Sequence, residues 1–170
     1  MVKWMRWQLA VNDTAGAAVR TLDHVPYRWR DGLKAAVGVD EQDPEEALET
    51  LTHAVEQTGV AALIVHARKA WLAGLSPREN RDVPPLDYAR VYRLKAAHRG
   101  LAVVINGGVV DLDQVRTHLA HLDGVMMGRA AYQEPWRLLE VDPLLFGEPA
   151  RFASPREAAC SASSSRTHRS

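Results

Sequence analysis

Three short apolar runs in this chain end on residues suited to holding a ligand. Residues 60–65, VAALIV, are continuous and apolar, and polar chemistry begins abruptly with His66, Arg68 and Lys69. Residues 101–105 end in Asn106-Gly107-Gly108, and residues 125–127 end in Gly128-Arg129. Continuous rather than alternating apolar runs fit strands covered on both faces, as in a parallel sheet. Ligands of parallel α/β sheets sit at the carboxyl ends of the strands, so a histidine followed by two cations there is a candidate site. The two glycine ends each lead into a helix, so bare amides and positive helix ends converge where a phosphate could dock, and Arg129 adds a fixed charge. In (β/α) barrels the common phosphate site follows the seventh and eighth strands, where these two ends would lie if the chain forms the end of a barrel. Each feature also has a plainer meaning. A strand-Gly-Gly end can be just a tight turn, His66 a satisfied strand-end histidine, and Arg68, Lys69, Arg78 and Arg81 a solvated basic face.

The elements that must position these residues are legible from Asp43 onward. Asp43 can cap a helix, Pro44 suits its first position, Glu45 and Glu46 complement its positive end, and Gly59 can stop it. Ala47, Leu48, Leu51, Ala54 and Val55 give it a buried stripe. Asp87 starts a second helix through about His98, with Tyr88, Val91, Tyr92 and Leu94 inward. Asp111 and Gln114 resemble a capping box, followed by Leu112, Val115, Leu119 and Leu122 at helical spacing. Arg129 onward reads as helix to about Val141 with a break at Pro135. Residues 2–11 read as one short helix, and residues 20–37 show neither helical nor strand period. The alternation of helix and strand predicts an α/β fold, a parallel sheet with crossover helices.

The totals set outer bounds. At 170 residues, 46% apolar and 25% charged, this is an ordinary single globular domain with no net charge. The charge is unevenly distributed: residues 40–58 hold seven carboxylates and no Lys or Arg, while residues 66–99 hold eight cations against three carboxylates. The acidic stretch reads as solvated surface, and the basic one as a surface that can face phosphates. A lone cysteine, Cys160, excludes an internal disulfide framework and fits a reducing compartment. No apolar run approaches the roughly 18 residues of a membrane span, so the expectation is cytoplasmic, without membrane or metal partners.

The string HARKAWLAGLSPRENRDVPPLDYARVYRLK, with the later INGG and DGVMMGRAAYQEPW, resembles the bacterial A-type tRNA-dihydrouridine synthases over about Gly38 to Pro155. The resemblance implies a partial TIM barrel, the last three or four β/α units of a flavin-binding (β/α)8 domain. It divides the chain into an altered segment 1–37, a barrel portion 38–157 and a disordered tail 158–170. It also implies a reaction. A D-loop uridine of tRNA is reduced to 5,6-dihydrouridine with FMN as cofactor and NADPH as reductant, after the base is turned out of the RNA fold. Asn106, Gly107, Gly108, Gly128 and Arg129 would hold the FMN phosphate, and His66 and Lys34 would contact the flavin. Around Lys34 the family pattern has faded, with Ala36 at an arginine position. Arg68 and Lys69 fall in the tRNA-facing loop, and Arg78 and Arg81 match tRNA-contacting positions. Trp71 among them is a loop anchor or a stacking surface.

One residue of the implied chemistry has no counterpart. The proton-donating cysteine of the family belongs to an earlier barrel strand, and Cys160 sits in a Ser-rich context that matches neither the motif nor its surroundings. The chain therefore reads as a carboxyl-terminal portion of a synthase with altered ends, inactive alone. Two alternatives remain at this point: a non-catalytic remnant that binds RNA or FMN weakly, and another FMN- or phosphate-binding barrel enzyme.

Overall fold

The computed structural model describes residues 9–11, 32–72, 74–76, 78–150 and 152–158. Five strands form one sheet: β1 (Leu9–Val11), β2 (Leu33–Ala36), β3 (Ala62–His66), β4 (Ala102–Asn106) and β5 (Gly124–Met126), in the order β1-β5-β4-β3-β2. Neighbours from β2 to β5 run parallel, each pair joined by a helix: α1 (Pro44–Thr58), α2 (Tyr88–Ala97) and α3 (Leu112–Leu119). Sequence-adjacent strands lying side by side through helical connections form the expected βαβ series.

The helix boundaries follow their caps. Asp43 Oδ1 accepts from the backbone N–H of Glu45 and of Glu46 at 2.9 and 3.0 Å, and Gly59 ends α1 in the left-handed region at φ 69°. Asp111 Oδ1 accepts from Gln114 N–H at 2.8 Å, while the Gln114 side chain accepts from Val110 N–H at 2.9 Å, a reciprocal cap. Leu63, Val65, Val103, Ile105 and Val125, all completely buried, meet Leu48, Val55, Val91, Leu94 and Val115 of the helices in the main core.

The sheet's other face positions the site. Its residues lie in register: Ala36 beside His66, Asn106 and Met126 at the carboxyl ends, then Lys34 beside Ile64, Val104 and Gly124 one layer below. His66 and Asn106 are thus the last residues of their strands, one place beyond the ends expected from apolar content. The pairing ladder continues past the last apolar side chain because a strand is closed by hydrogen bonds, not by hydrophobicity.

Three expectations fail in whole or in part. Residues 9–11 are not helical: they form β1, antiparallel to β5, with Leu9 opposite Met126 and Val11 opposite Gly124. A short isolated helix nucleates poorly, whereas the free edge of β5 offers a row of unpaired donors and acceptors. The remainder of that expected helix, residues 2–8, lies outside the described residues. The segment after Gly128 breaks at Pro135 as expected but does not resume as an α-helix. It is a five-residue α4 (Arg129–Gln133), a 3-10 turn Pro135–Glu140 and a π turn Asp142–Phe146 closed by Gly147 at φ 67°. Pro135 and Pro143 each remove a backbone donor within two residues of a turn start, which favours short restarted turns over a continuous ladder. Part of the segment read as altered, Leu33–Ala36, supplies a strand of the same sheet. Of the tail expected to be disordered, 158–170, Ala158 is instead helical, its N–H donating to Ser154 O at 3.2 Å, and the rest lies outside the described residues.

Candidate functional site

All seven residues singled out for the flavin, Lys34, His66, Asn106, Gly107, Gly108, Gly128 and Arg129, line one open cleft of about 690 Å³ at the strand carboxyl ends. They come from the ends of β3, β4 and β5 and, with Lys34, from one layer down in β2.

A hydrogen-bond chain across the strand ends fixes the chemistry of His66. Asn106 Nδ2 donates to Met126 O at 2.9 Å, and Asn106 Oδ1 lies 3.0 Å from His66 Nδ1. A carbonyl oxygen only accepts, so the amide nitrogen must face Met126 and the amide oxygen must face His66. The proton of His66 therefore sits on Nδ1, and Nε2 keeps its lone pair. Burial pushes the His66 pKa below the ordinary imidazole value, and the charges of Lys34, Arg68 and Arg129 push it the same way, against the bond to Asn106. His66 is thus a neutral imidazole of assigned tautomer in a cationic setting.

Lys34 is exposed on the cleft face of β2, and its one contact shown among the described residues is weak. Its ammonium donates to Met126 Sδ at 3.7 Å, a weak acceptor, and partial desolvation of the ammonium lowers its pKa. Such a group gains by meeting an anion or a carbonyl in the cleft. Arg129 lies half exposed at the cleft rim, with Nη2 2.8 Å from Asp82 Oδ1 of the basic loop. Arg137 and Gln133 also line the cleft; Gln133 lies within the DGVMMGRAAYQEPW string but was given no role there, and Arg137 sits on the turn that restarts at Pro135 and matched no motif.

Gly107 and Gly108 are glycine for two reasons. Both have positive φ, 113° and 69°, and a Cβ on Gly108 would stand 2.5 Å from Leu86 Cδ1 and 2.8 Å from the Tyr88 hydroxyl. Tyr88 holds this turn from the helix side, donating its hydroxyl to Gly107 O at 2.8 Å. Around Gly128, by contrast, no atom of the described residues beyond its own chain neighbours lies within 4 Å of where a Cβ would be.

The basic loop is held from within. Asn80 Nδ2 donates to Trp71 O at 2.6 Å and to Leu75 O at 3.2 Å, and its Oδ1 accepts from Trp71 N–H at 2.6 Å. Ser76 and Glu79 exchange side-chain-to-backbone bonds, a capping box on the 3-10 turn Glu79–Arg81. Asn80 was not singled out from sequence; the Ser-x-x-Glu spacing beside it was the readable signal. The four cations separate here. Arg68 donates to Asp82 O at 3.2 Å and to Pro84 O, which makes it a strut of the loop. Lys69 lies with its ammonium 4.9 Å from the Trp71 ring centroid, a cation–π pair, and Arg78 is exposed at the start of the 3-10 turn. The backbone of Arg81 ends that turn. Trp71 is half buried, tied through its backbone to Asn80.

The parallel alternation of strand and helix with an anion-suited cleft at the strand ends defines an α/β protein of the (β/α)-barrel kind. A family model, Dihydrouridine synthase (Dus), matches residues 4–168, and the chain belongs to the dihydrouridine synthase family. Its four parallel strands are a partial TIM barrel of that family. Three relatives are each named tRNA-dihydrouridine(20/20a) synthase. The protein of Shewanella oneidensis is 54% identical over 115 residues, covering 68% of this chain and 34% of the relative. That of Vibrio parahaemolyticus is 48% identical over 79% of this chain and 40% of the relative. The Escherichia coli K12 protein is 48% identical over 72% of this chain and 36% of the relative. The chain thus spans well under half the length of the curated relatives it matches. Membership in this family decides against an unrelated phosphate-binding barrel. Among the described residues, no helix is long and apolar enough to cross a membrane.

Proposed function

We propose that this chain carries the flavin-phosphate end and part of the tRNA-facing surface of a tRNA-dihydrouridine synthase acting in the cytoplasm. One observation carries the reading: the ammonium of Lys34, whose contact among the described residues is a thioether, shares a cleft with Arg129 and the Gly107-Gly108 and Gly128 turns. That combination of cations and bare amides fits the phosphate of FMN. Held there and first reduced by NADPH, the flavin would supply the hydride that saturates the 5,6 double bond of uridine. The chain's own residues bind and orient. Arg129 and the glycine amides neutralise the phosphate, Lys34 offers its ammonium to a flavin oxygen or nitrogen, and His66 offers a neutral Nε2 held in place by Asn106.

Proton delivery is not assigned to this chain. Its single cysteine, Cys160, stands in a Ser-rich stretch outside the described residues. The chain alone is expected to bind without turning over. Arg78 and Arg81, with Lys69 beside Trp71, are the proposed tRNA contacts, and Arg68 contributes by holding the loop that presents them.

Titration of unmodified tRNA with the purified chain over a range of salt concentrations tests this reading. Each phosphate contact adds roughly 0.7 to 0.9 to the slope of log K against log salt, so Arg78→Ala with Arg81→Ala should flatten it by about 1.4 to 1.8. Binding with an unchanged slope, or no binding at low salt, would remove the RNA-facing assignment.

A further inference from the structure

At the opposite end of the sheet from the cleft, α1 and the C-terminal cap of α2 bring two histidines and two glutamates together. Glu49, His53 and Glu56 lie along one face of α1 at four- and three-residue spacing, and His98 caps α2 just before β4 begins. We propose that His53, Glu56 and His98 form a site for a divalent transition metal of the zinc type, with Glu49 as the outer carboxylate that orients His98.

One ligand atom from each of the three lies within 4.8 Å of the others. His98 Nδ1 is 2.9 Å from Glu56 Oε1, and His53 Nδ1 is 3.7 Å from Glu56 Oε2. Tetrahedral zinc with bonds near 2.0–2.1 Å needs ligand atoms about 3.3 Å apart; the two histidines face different oxygens of Glu56, so the ion is reached by a small swing of the exposed His53 ring toward the oxygen that His98 meets. The rings of His53 and His98 stand edge to face, 5.3 Å between centroids, with their nitrogens turned toward the carboxylates rather than stacked away from them.

The outer shell is the second, independent feature. Metal-bound histidines donate their other ring N–H to a carboxylate or carbonyl, which fixes the tautomer. His98 Nε2 meets Glu49 Oε1 at 3.0 Å, so the nitrogen not needed by the metal already has its acceptor. His98 is only 8% exposed, whereas the side chain of His53 is 64% exposed: one ligand is fixed by the core and one admits the ion from solvent. Three protein ligands leave a fourth position for water. Lying at the amino-terminal end of the strands, far from the cleft, the ion would staple α1 to α2 and act on stability rather than on catalysis. Sequence reading anticipated no metal because His-x-x-Glu within a helix is ordinary surface, and its third partner lies 42 residues from Glu56.

The test is a competition titration of the full chain with Zn²⁺ against a chromogenic chelator, repeated with Co²⁺ to read its visible d–d bands. One equivalent of tight binding is expected, with Co²⁺ bands of four-coordinate intensity. His53→Ala and Glu56→Gln, both at solvent-accessible positions and checked for folding by circular dichroism, should weaken binding at least tenfold. Glu49→Gln should weaken it by 10- to 100-fold, the usual effect of losing an outer-shell partner. His121→Ala, on another surface, should leave it unchanged. Absence of a tight equivalent, or binding equal to wild type in His53→Ala and Glu56→Gln, would overturn the site.

Discussion

The two glycine turns that floor the cleft close neighbouring strands but are built differently. After β4, Gly107 and Gly108 are pressed against protein: Leu86, Tyr88 and His66 occupy the space a side chain would need, and both backbones have positive φ. After β5, Gly128 faces open space. A glycine required by the protein's own packing and a glycine required by a visitor look identical in a sequence. The first is a hinge point of the fold, locked by the Tyr88 hydroxyl on Gly107 O; the second leaves room at the mouth of the cleft beside Arg129.

The contrast is broken most directly by Gly108→Ala. A methyl 2.5 Å from Leu86 Cδ1 at a φ of 69° should cost roughly 2 to 4 kcal/mol, the sum of overpacking and a left-handed alanine. A urea midpoint close to wild type would show that the turn is not packed as described. Next in size is Asn106→Ala, which strips His66 of its partner and leaves Met126 O unpaired, at about 1 to 3 kcal/mol. Its specific mark is in the imidazole ¹⁵N shifts of His66, which should lose their single Nδ1–H tautomer; retention of that tautomer would remove Asn106 from its positioning role.

His66 sharpens the comparison through pH. Its folded pKa lies below the ordinary value, so the unfolded chain takes up its proton first as pH falls. Stability is full above the ordinary imidazole pKa and is lost as pH falls through it toward the folded value. His66→Gln should therefore lose less stability than wild type between about pH 7 and pH 5. Equal losses would mean that neither burial nor the cationic surroundings hold the His66 pKa down. The smallest effect on the fold is expected from Arg129→Gln. Its pair with Asp82 is exposed at both ends, and such pairs contribute about 0 to 1 kcal/mol. Flavin retention should nevertheless fall, whereas Gly108→Ala lowers retention only in step with unfolding.

Much of this was legible. Asp43 and Gly59 bound α1, the apolar runs gave β3, β4 and β5, and the Gly107-Gly108 and Gly128-Arg129 ends marked the cleft. What was not legible depended on partners distant in sequence. Leu9–Val11 became a strand because the edge of β5 was there to pair with, and nothing local announces that. The basic loop looked uniform in composition, yet Arg68 turns inward to backbone carbonyls while Arg78 stays exposed, a division set by Asn80 and the Ser76–Glu79 cap. Lys34 was placed by spacing alone. Register brings it to the cleft: one layer below His66, Asn106 and Met126, it shares their face of the sheet.

The central claim is that the strand ends form a cup for the flavin's phosphate. It is tested by incubating the purified chain in parallel with FMN and with riboflavin, removing the excess, and recording the visible absorption spectrum. The two ligands share the ring system and differ in the phosphate. Retained FMN with little retained riboflavin, and loss of the FMN in Arg129→Gln, is the predicted result. A colourless protein with both ligands, or equal retention of the two, would contradict it.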